Sequence, residues 1–284
     1  MSTLAILPMP RHGSSGTGNS YYTSAIFCPR KCTLDAEVAA AGGRVEQSSG
    51  SSAVGTIFHQ LAELYYGGTE SNPVAVPTGD LNWGDAIEEA KRLWASFTRR
   101  HPGQDFWGAI IGLELGYPLE GNTEQAQIMQ AVIGVPYTIR PDMIIRPTEA
   151  SARRILEATG LVVEPDVLYM LDWKTKGKAD ADAPLLYQQS DQFASYMMCW
   201  NALFPKDPVA GMIVVEPITT KEVKFRHFLI SPPDADLQNV VRQKMANGAT
   251  LVQTNATLGV AHNCRSYNRW CAHHPYVGGT CKRY

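Results

Sequence analysis

Long apolar runs are missing from this 284-residue chain. No stretch approaches the roughly 20 residues that a membrane-crossing helix needs, so no membrane partner is expected. The opening segment, MSTLAILPMPRHGSSGTGNS, has an apolar patch but no basic start before it, so it does not read as a signal peptide. A cytoplasmic location is the expectation, or the host cytoplasm for a viral chain. An excess of charge is lacking too: 25 Lys and Arg stand against 27 Asp and Glu, a formal net charge of -2. That balance argues against coating nucleic acid by bulk attraction and leaves local contacts open. Cysteine is absent between Cys32 and Cys199, and five of the six (Cys28, Cys32, Cys264, Cys271 and Cys281) sit near the two ends. In a chain without a secretory leader, such clustering favours metal ligation over disulfides. Internal repeats and coiled-coil heptads are not found either.

What is there, at 44% hydrophobic and 18% charged residues, suits a globular protein with a sizeable core. Residues 1–20, rich in Gly, Ser and Pro, read as a flexible tail, and 21–284 as one domain whose last part, 262–284, is rich in Cys, His and Trp. A short helical segment is expected over 23–40 and a loop over 42–52. The spacing of Val54, Ile57, Phe58, Leu61, Leu64 and Tyr65 predicts a helix over 53–68 with one buried face. A second helix is expected over 83–101, with Ile87, Ala90, Trp94 and Phe97 inward. Three β-rich segments follow at 108–119, 131–146 and 167–176. The residues between the last two, 147–166, are long for a hairpin loop and read as a small subdomain or flap. A helix over 185–204, strands at 210–217 and 223–230 and a helix over 233–248 complete a mixed α/β pattern.

Asp172 and Lys174 are two apart on an expected strand, so they project to one face while Trp173 faces the core. A carboxylate can hold a divalent cation, and a neighbouring lysine can orient or deprotonate a water and neutralise phosphate charge. Alone, Asp-x-Lys reads far more readily as a charge pair on an edge strand. Asp142 follows Ile139-Arg140-Pro141 and precedes Met143-Ile144-Ile145, a setting in which a carboxylate is costly unless it binds something; alone, it reads equally as a turn cap. His59 falls on the flank of its helix's apolar stripe, where a histidine is commonly just packed or exposed, yet neutral imidazole is a good ligand for Mn²⁺-like ions. Glu114, in Gly112-Leu113-Glu114-Leu115, reads more readily as the polar phase of an alternating strand than as a member of a site.

Taken in order, Gly55-Thr56-Ile57-Phe58-His59, Arg140-Pro141-Asp142, Leu171-Asp172-Trp173-Lys174-Thr175 and Gln192-Phe193-Ala194-Ser195-Tyr196 resemble the RecB-like branch of the PD-(D/E)xK nucleases. That branch includes nuclease domains of recombination helicase-nucleases and of CRISPR adaptation. The resemblance implies a restriction-endonuclease-like core, a mixed central sheet flanked by helices. It implies Mg²⁺ or Mn²⁺ held by His59, Asp142, Asp172 and the Trp173 carbonyl, and Lys174 as the catalytic lysine. Gln192 and Tyr196, one helical turn apart, resemble the pair that steadies the active site and the DNA strand; as residues alone they fit an ordinary amphipathic helix.

The cysteines are similar to a family pattern in which one N-terminal and three C-terminal cysteines hold an iron–sulfur cluster. The resemblance implies Cys28, Cys264, Cys271 and Cys281 as ligands of a 4Fe-4S cluster joining the chain ends. The spacing is wider than the family's, and zinc with His262, His273 or His274 is the alternative, as are unligated thiols. Cys199 reads as a core residue. The activity implied is metal-dependent hydrolysis of DNA phosphodiesters, chiefly as an exonuclease on single strands or ends in recombination, repair or phage DNA metabolism, with a recombination or helicase protein as partner. The competing reading is a non-catalytic nuclease-like module that binds DNA or protein around a structural zinc or iron–sulfur site.

Overall fold

A computed structural model describes residues 22, 23, 26, 50–67, 83–255, 265, 266, 269 and 270. The expected 1–20 tail and Cys28, Cys32, Cys264, Cys271, Cys281, His262, His273 and His274 lie outside the described residues. The chain divides into two compact units, one within Ser48–Gly116 and Arg140–Pro233, the other taking in Tyr117–Ile139 and the chain from Asp234 onward.

The first unit is built on a five-stranded sheet in the order β1-β2-β3-β4-β5. Its strands are β1 (Ala109–Leu113), β2 (Met143–Arg146), β3 (Leu168–Trp173), β4 (Val209–Ile218) and β5 (Lys224–Ile230). β1–β2, β2–β3 and β4–β5 pair antiparallel, and β3–β4 pair parallel. The parallel step needs a crossover, supplied by the helices α5 (Ala183–Gln188) and α6 (Asp191–Leu203). Every residue of β3 is buried, the pattern of a strand covered on both faces. Against the sheet and each other lie α1 (Gly50–Tyr66) and α2 (Trp83–Arg100). Phe58 of α1 meets Trp94 and Phe97 of α2 edge-on, at 5.5 and 5.7 Å between ring centroids, a favoured aromatic geometry. The buried stripe of α1 runs through Val54, Ile57, Phe58, Ala62 and Tyr66, whereas Leu64, expected inside, is 39% exposed.

The second unit contains α3 (Thr123–Ile133) and α7 (Ala235–Asn255), with Arg242 Nε donating to the Val132 carbonyl at 2.8 Å. Among the described residues no helix is long and apolar enough to cross a membrane.

Three expectations need correction. The segment 131–146 is not one strand: α3 occupies its start, Gly134 ends that helix in the left-handed region at φ 91, and ladder pairing begins only at Met143. Pro136 and Pro141 lie between, and neither can donate to a ladder. The 147–166 stretch is no flap but mostly a helix, α4 (Glu149–Thr159). Its Thr148 and Ser151 form a reciprocal capping box, and Ile155 is fully buried. The expected helix over 185–204 is two, because Ser190 leaves α-geometry to accept from the Phe193 N–H and start α6 afresh. Cys199 is a core residue, as expected, and burial pushes its thiol pKa up.

Candidate active site

The sheet brings four chain segments to one place. One step beyond the Met143–Leu171 pair of the β2–β3 ladder, Asp142 comes opposite Asp172. The Trp173 N–H donates to Asp142 Oδ2 at 2.8 Å, fixing that carboxylate to β3. On the other side the Glu114 N–H donates to the Asp142 carbonyl at 2.8 Å. Glu114 itself has φ 48, a left-handed conformation that costs a non-glycine residue about 1 kcal/mol or more. The alternation of β1 therefore fails at this residue, and its carboxylate turns toward Asp142 and His59.

His59 reaches the same point from α1. Its Nε2 donates to the Trp173 carbonyl at 2.9 Å, since a carbonyl can only accept. That bond leaves Nδ1 facing the carboxylates, 3.4 Å from Asp142 and 3.9 Å from Glu114. An imidazole whose far nitrogen is held by a carbonyl is oriented to ligate through the near one. Gly55 sits one turn before His59, and a Cβ there would come within 2.8 Å of Thr175 Oγ1. Glycine at this position thus lets α1 lie close against the chain leaving β3.

Lys174 Nζ stands 2.7 Å from Asp172 Oδ2 and 5.5 Å from the centre of the Phe193 ring. Its backbone N–H donates to the Val215 carbonyl at 2.9 Å, continuing the β3–β4 ladder. From α6, Gln192 Nε2 donates to the Tyr196 hydroxyl at 3.2 Å. Tyr196 is buried, within the field of Asp172, Lys174 and Asp142.

The charges are strongly interdependent. Burial, then the charge of Asp142, lifts the Asp172 pKa to about 6 despite Lys174. Burial likewise raises Glu114. For Asp142 burial works the other way from the outcome: His59, Lys174 and the Trp173 N–H hold it below the usual carboxylate range. Burial opposes charge on His59, yet Asp142 and Glu114 outweigh it and raise its pKa well above the ordinary value. Lys174, also opposed by burial, is pushed up to about 12 by Asp172 and Asp142.

One atom from each of His59, Glu114 and Asp142 lies within 4.8 Å of the other two. An imidazole nitrogen with two carboxylates is a donor set for a divalent cation of the Mg²⁺ or Mn²⁺ kind. The carboxylates also disfavour one another's charge, the repulsion such a cation relieves. Asp172 stands outside that close set, paired to Lys174, and the Trp173 carbonyl is engaged by His59. The structure thus brings His59, Asp142, Asp172, Trp173 and Lys174 together and sets Gln192 against Tyr196. It adds Glu114, which sequence alternation had placed outside the site. The available signal was an acidic residue framed by Gly112-Leu113 and Leu115-Gly116, where glycines mark a strand about to bend.

Comparison with known families matches the chain to the PD-(D/E)XK nuclease superfamily over residues 21–276. Comparison with curated proteins gave no match. Among solved structures, one from Eubacterium rectale, whose exonuclease assignment is provisional, aligns at 14% identity and a TM-score of 0.42, covering 73% of this chain and 69% of its own.

Proposed function

Because the chain belongs to the PD-(D/E)XK nuclease superfamily, we propose that it is a divalent-metal-dependent deoxyribonuclease of the RecB-like branch, cutting single-stranded DNA or DNA ends. The observation that supports this most is the convergence of His59, Glu114 and Asp142 beside the 2.7 Å Lys174–Asp172 pair. A binding module has no evident need for two acidic side chains crowded around one imidazole, with a third paired to a lysine beside them, at the end of a buried strand.

In this reading His59 Nδ1, Glu114, Asp142 and Asp172 hold the cation. Bound there, Mg²⁺ or Mn²⁺ supplies Lewis acidity and a water of lowered pKa. Lys174, at about 12, keeps its proton in the chain as it stands. Its part is to place an ammonium beside the scissile phosphate and offset charge that grows during hydrolysis. Gln192 and Tyr196 stand on the face of α6 that borders Lys174 and orient the strand. The 1 + 3 cysteine arrangement supports a thiolate-held iron–sulfur cluster in the same chain, with zinc the alternative.

Incubation of the protein with end-labelled single-stranded, duplex and circular DNA tests the proposal. Cleavage in Mn²⁺ that stops in EDTA is the expected result. A folded, Mn²⁺-loaded protein that leaves every DNA substrate intact would sink the proposal.

Metal affinity is expected to depend on pH with a definite sign. His59, raised well above its ordinary value, and Asp172, at about 6, carry protons at low pH that must leave before either atom can ligate. Binding therefore strengthens as pH rises. Titration of Mn²⁺ followed by tryptophan fluorescence is expected to give an affinity at least roughly tenfold weaker at pH 5.5 than at pH 7.5. Equal affinities would remove His59 and Asp172 from the ligand set.

A further inference from the structure

The stretch between Lys174 and Gln192 is fastened firmly and yet presents apolar side chains to solvent. After Trp173 the chain keeps its ladder with β4: the Lys176 N–H donates to the Pro217 carbonyl at 2.9 Å and the Thr219 N–H to the Lys176 carbonyl at 2.8 Å. Residues two apart on extended chain share a face, so Lys176 lies on the side of Asp172 and Lys174. It is exposed, and among the described residues no carboxylate lies within ion-pair distance of it. Further on, Arg226 donates to the Asp180 carbonyl at 2.6 Å. The Tyr187 hydroxyl donates to Glu216 at 2.8 Å. Gln188 both donates to the Ser231 carbonyl and accepts from the Ser231 N–H, each at 3.2 Å.

These fastenings hold α5, a helix of 6 residues too short to persist by itself. Within it, Leu185 and Leu186 are 58% and 55% exposed while Ala183 and Tyr187 are buried. Two adjacent leucines held outward by a pinned helix form a ledge, unlike isolated apolar residues scattered on a surface. The helix that carries the ledge borders the site: the Tyr187 ring lies 5.8 Å from the Phe193 ring, and the Phe193 ring lies 5.5 Å from Lys174 Nζ.

We propose that Lys176 and the Leu185–Leu186 ledge form a nucleic-acid strand subsite. Lys176 takes the phosphate beside the one being cut, and the leucines lie against unpaired bases. This rests on the nuclease reading. Phosphate is the occupant that the exposed ammonium of Lys176 beside Lys174 selects, with Lys178 exposed two residues on, and leucine is among the apolar side chains that contact or wedge between bases. Asp180 and Asp182, exposed between the two parts, repel phosphate and so keep the backbone of the strand off the intervening loop. The subsite accounts for a preference for single strands or frayed ends, because paired and stacked bases cannot lie on the ledge.

Fluorescence anisotropy in Ca²⁺ with two labelled single-stranded oligonucleotides, one normal and one with a run of abasic sites, tests the subsite. The Leu185→Ser/Leu186→Ser double variant is expected to bind the normal strand roughly fivefold to tenfold more weakly and the abasic strand as the wild type does. Lys176→Gln is expected to weaken both strands alike and to reduce the salt slope by about 1. Equal loss on the two strands by the leucine variant, or wild-type binding of the normal strand, overturns the ledge. An unchanged salt slope overturns the lysine contact. A parallel Mn²⁺ cleavage assay separates the two levels. A wild type that cuts but ignores bases refutes only the subsite. A wild type that cuts nothing refutes the nuclease reading beneath it.

Discussion

Replacing Lys174 by alanine is expected to lower the cleavage rate by roughly a thousandfold or more and leave the protein folded. Lys174 is the only ammonium within ion-pair distance of Asp172 among the described residues. On the proposed reading its loss removes the positive charge meant for the scissile phosphate, and it frees the Asp172 pKa to climb, since Lys174 works to lower it. A carboxyl that readily takes a proton is a poor metal ligand, so weaker Mn²⁺ binding is expected along with slower turnover. The fold tolerates the change because a protonated Asp172 is no longer a buried charge. Asp172→Ala should behave alike. Cleavage time courses at saturating Mn²⁺, with circular dichroism as the control for folding, check both. Activity within tenfold of the wild type in either variant would contradict the assignment.

Glu216→Ala should act on stability instead. Glu216 is fully buried and accepts from Tyr187 at 2.8 Å and from Arg226 Nε at 2.6 Å, with a further Arg226 nitrogen in contact. Cutting back the carboxylate leaves a guanidinium and a phenol without their acceptor. Removing one partner of a buried ion pair costs about 3–5 kcal/mol; with Arg226 partly exposed the lower end applies, a fall of about 5 °C in Tm for a chain of this size. Glu216→Gln keeps an acceptor for Tyr187 and should lose less. Thermal unfolding of the three proteins side by side measures this. An alanine variant that melts with the wild type would mean that Arg226 and Tyr187 find other partners.

Much of the site could be read from sequence because its residues sit where periodicity is strong. Asp172 and Lys174 share a face on a strand that is apolar throughout, and His59 follows an unbroken helical stripe. Asp142 stood out as a carboxylate next to a β-branched run. What escaped the reading depends on single backbone events. The helix over Thr123–Ile133 has few strongly apolar positions, so β-branched residues at its end drew the segment toward a strand. Glu114 escaped because alternation assumes extended backbone, and its φ of 48 is fixed by pairing with Asp142, 28 positions later. The break between α5 and α6 turns on one serine, whose capping hydrogen bond competes locally with helix continuation. Glu216 drew no notice because an acid in a largely apolar strand has meaning only once Tyr187 and Arg226 are seen to close on it.

Gly55 carries a consequence for how the site is tuned. Because a Cβ on Gly55 would come within 2.8 Å of the Thr175 hydroxyl, the helix and the strand exit behave as one lever with the glycine as its fulcrum. A thicker residue at that fulcrum has two ways to fit: Thr175 turns its hydroxyl aside, or the helix lifts and swings the imidazole, four positions further along, off the Trp173 carbonyl. The grip on an ion can therefore be loosened from a position that offers no donor atom at all.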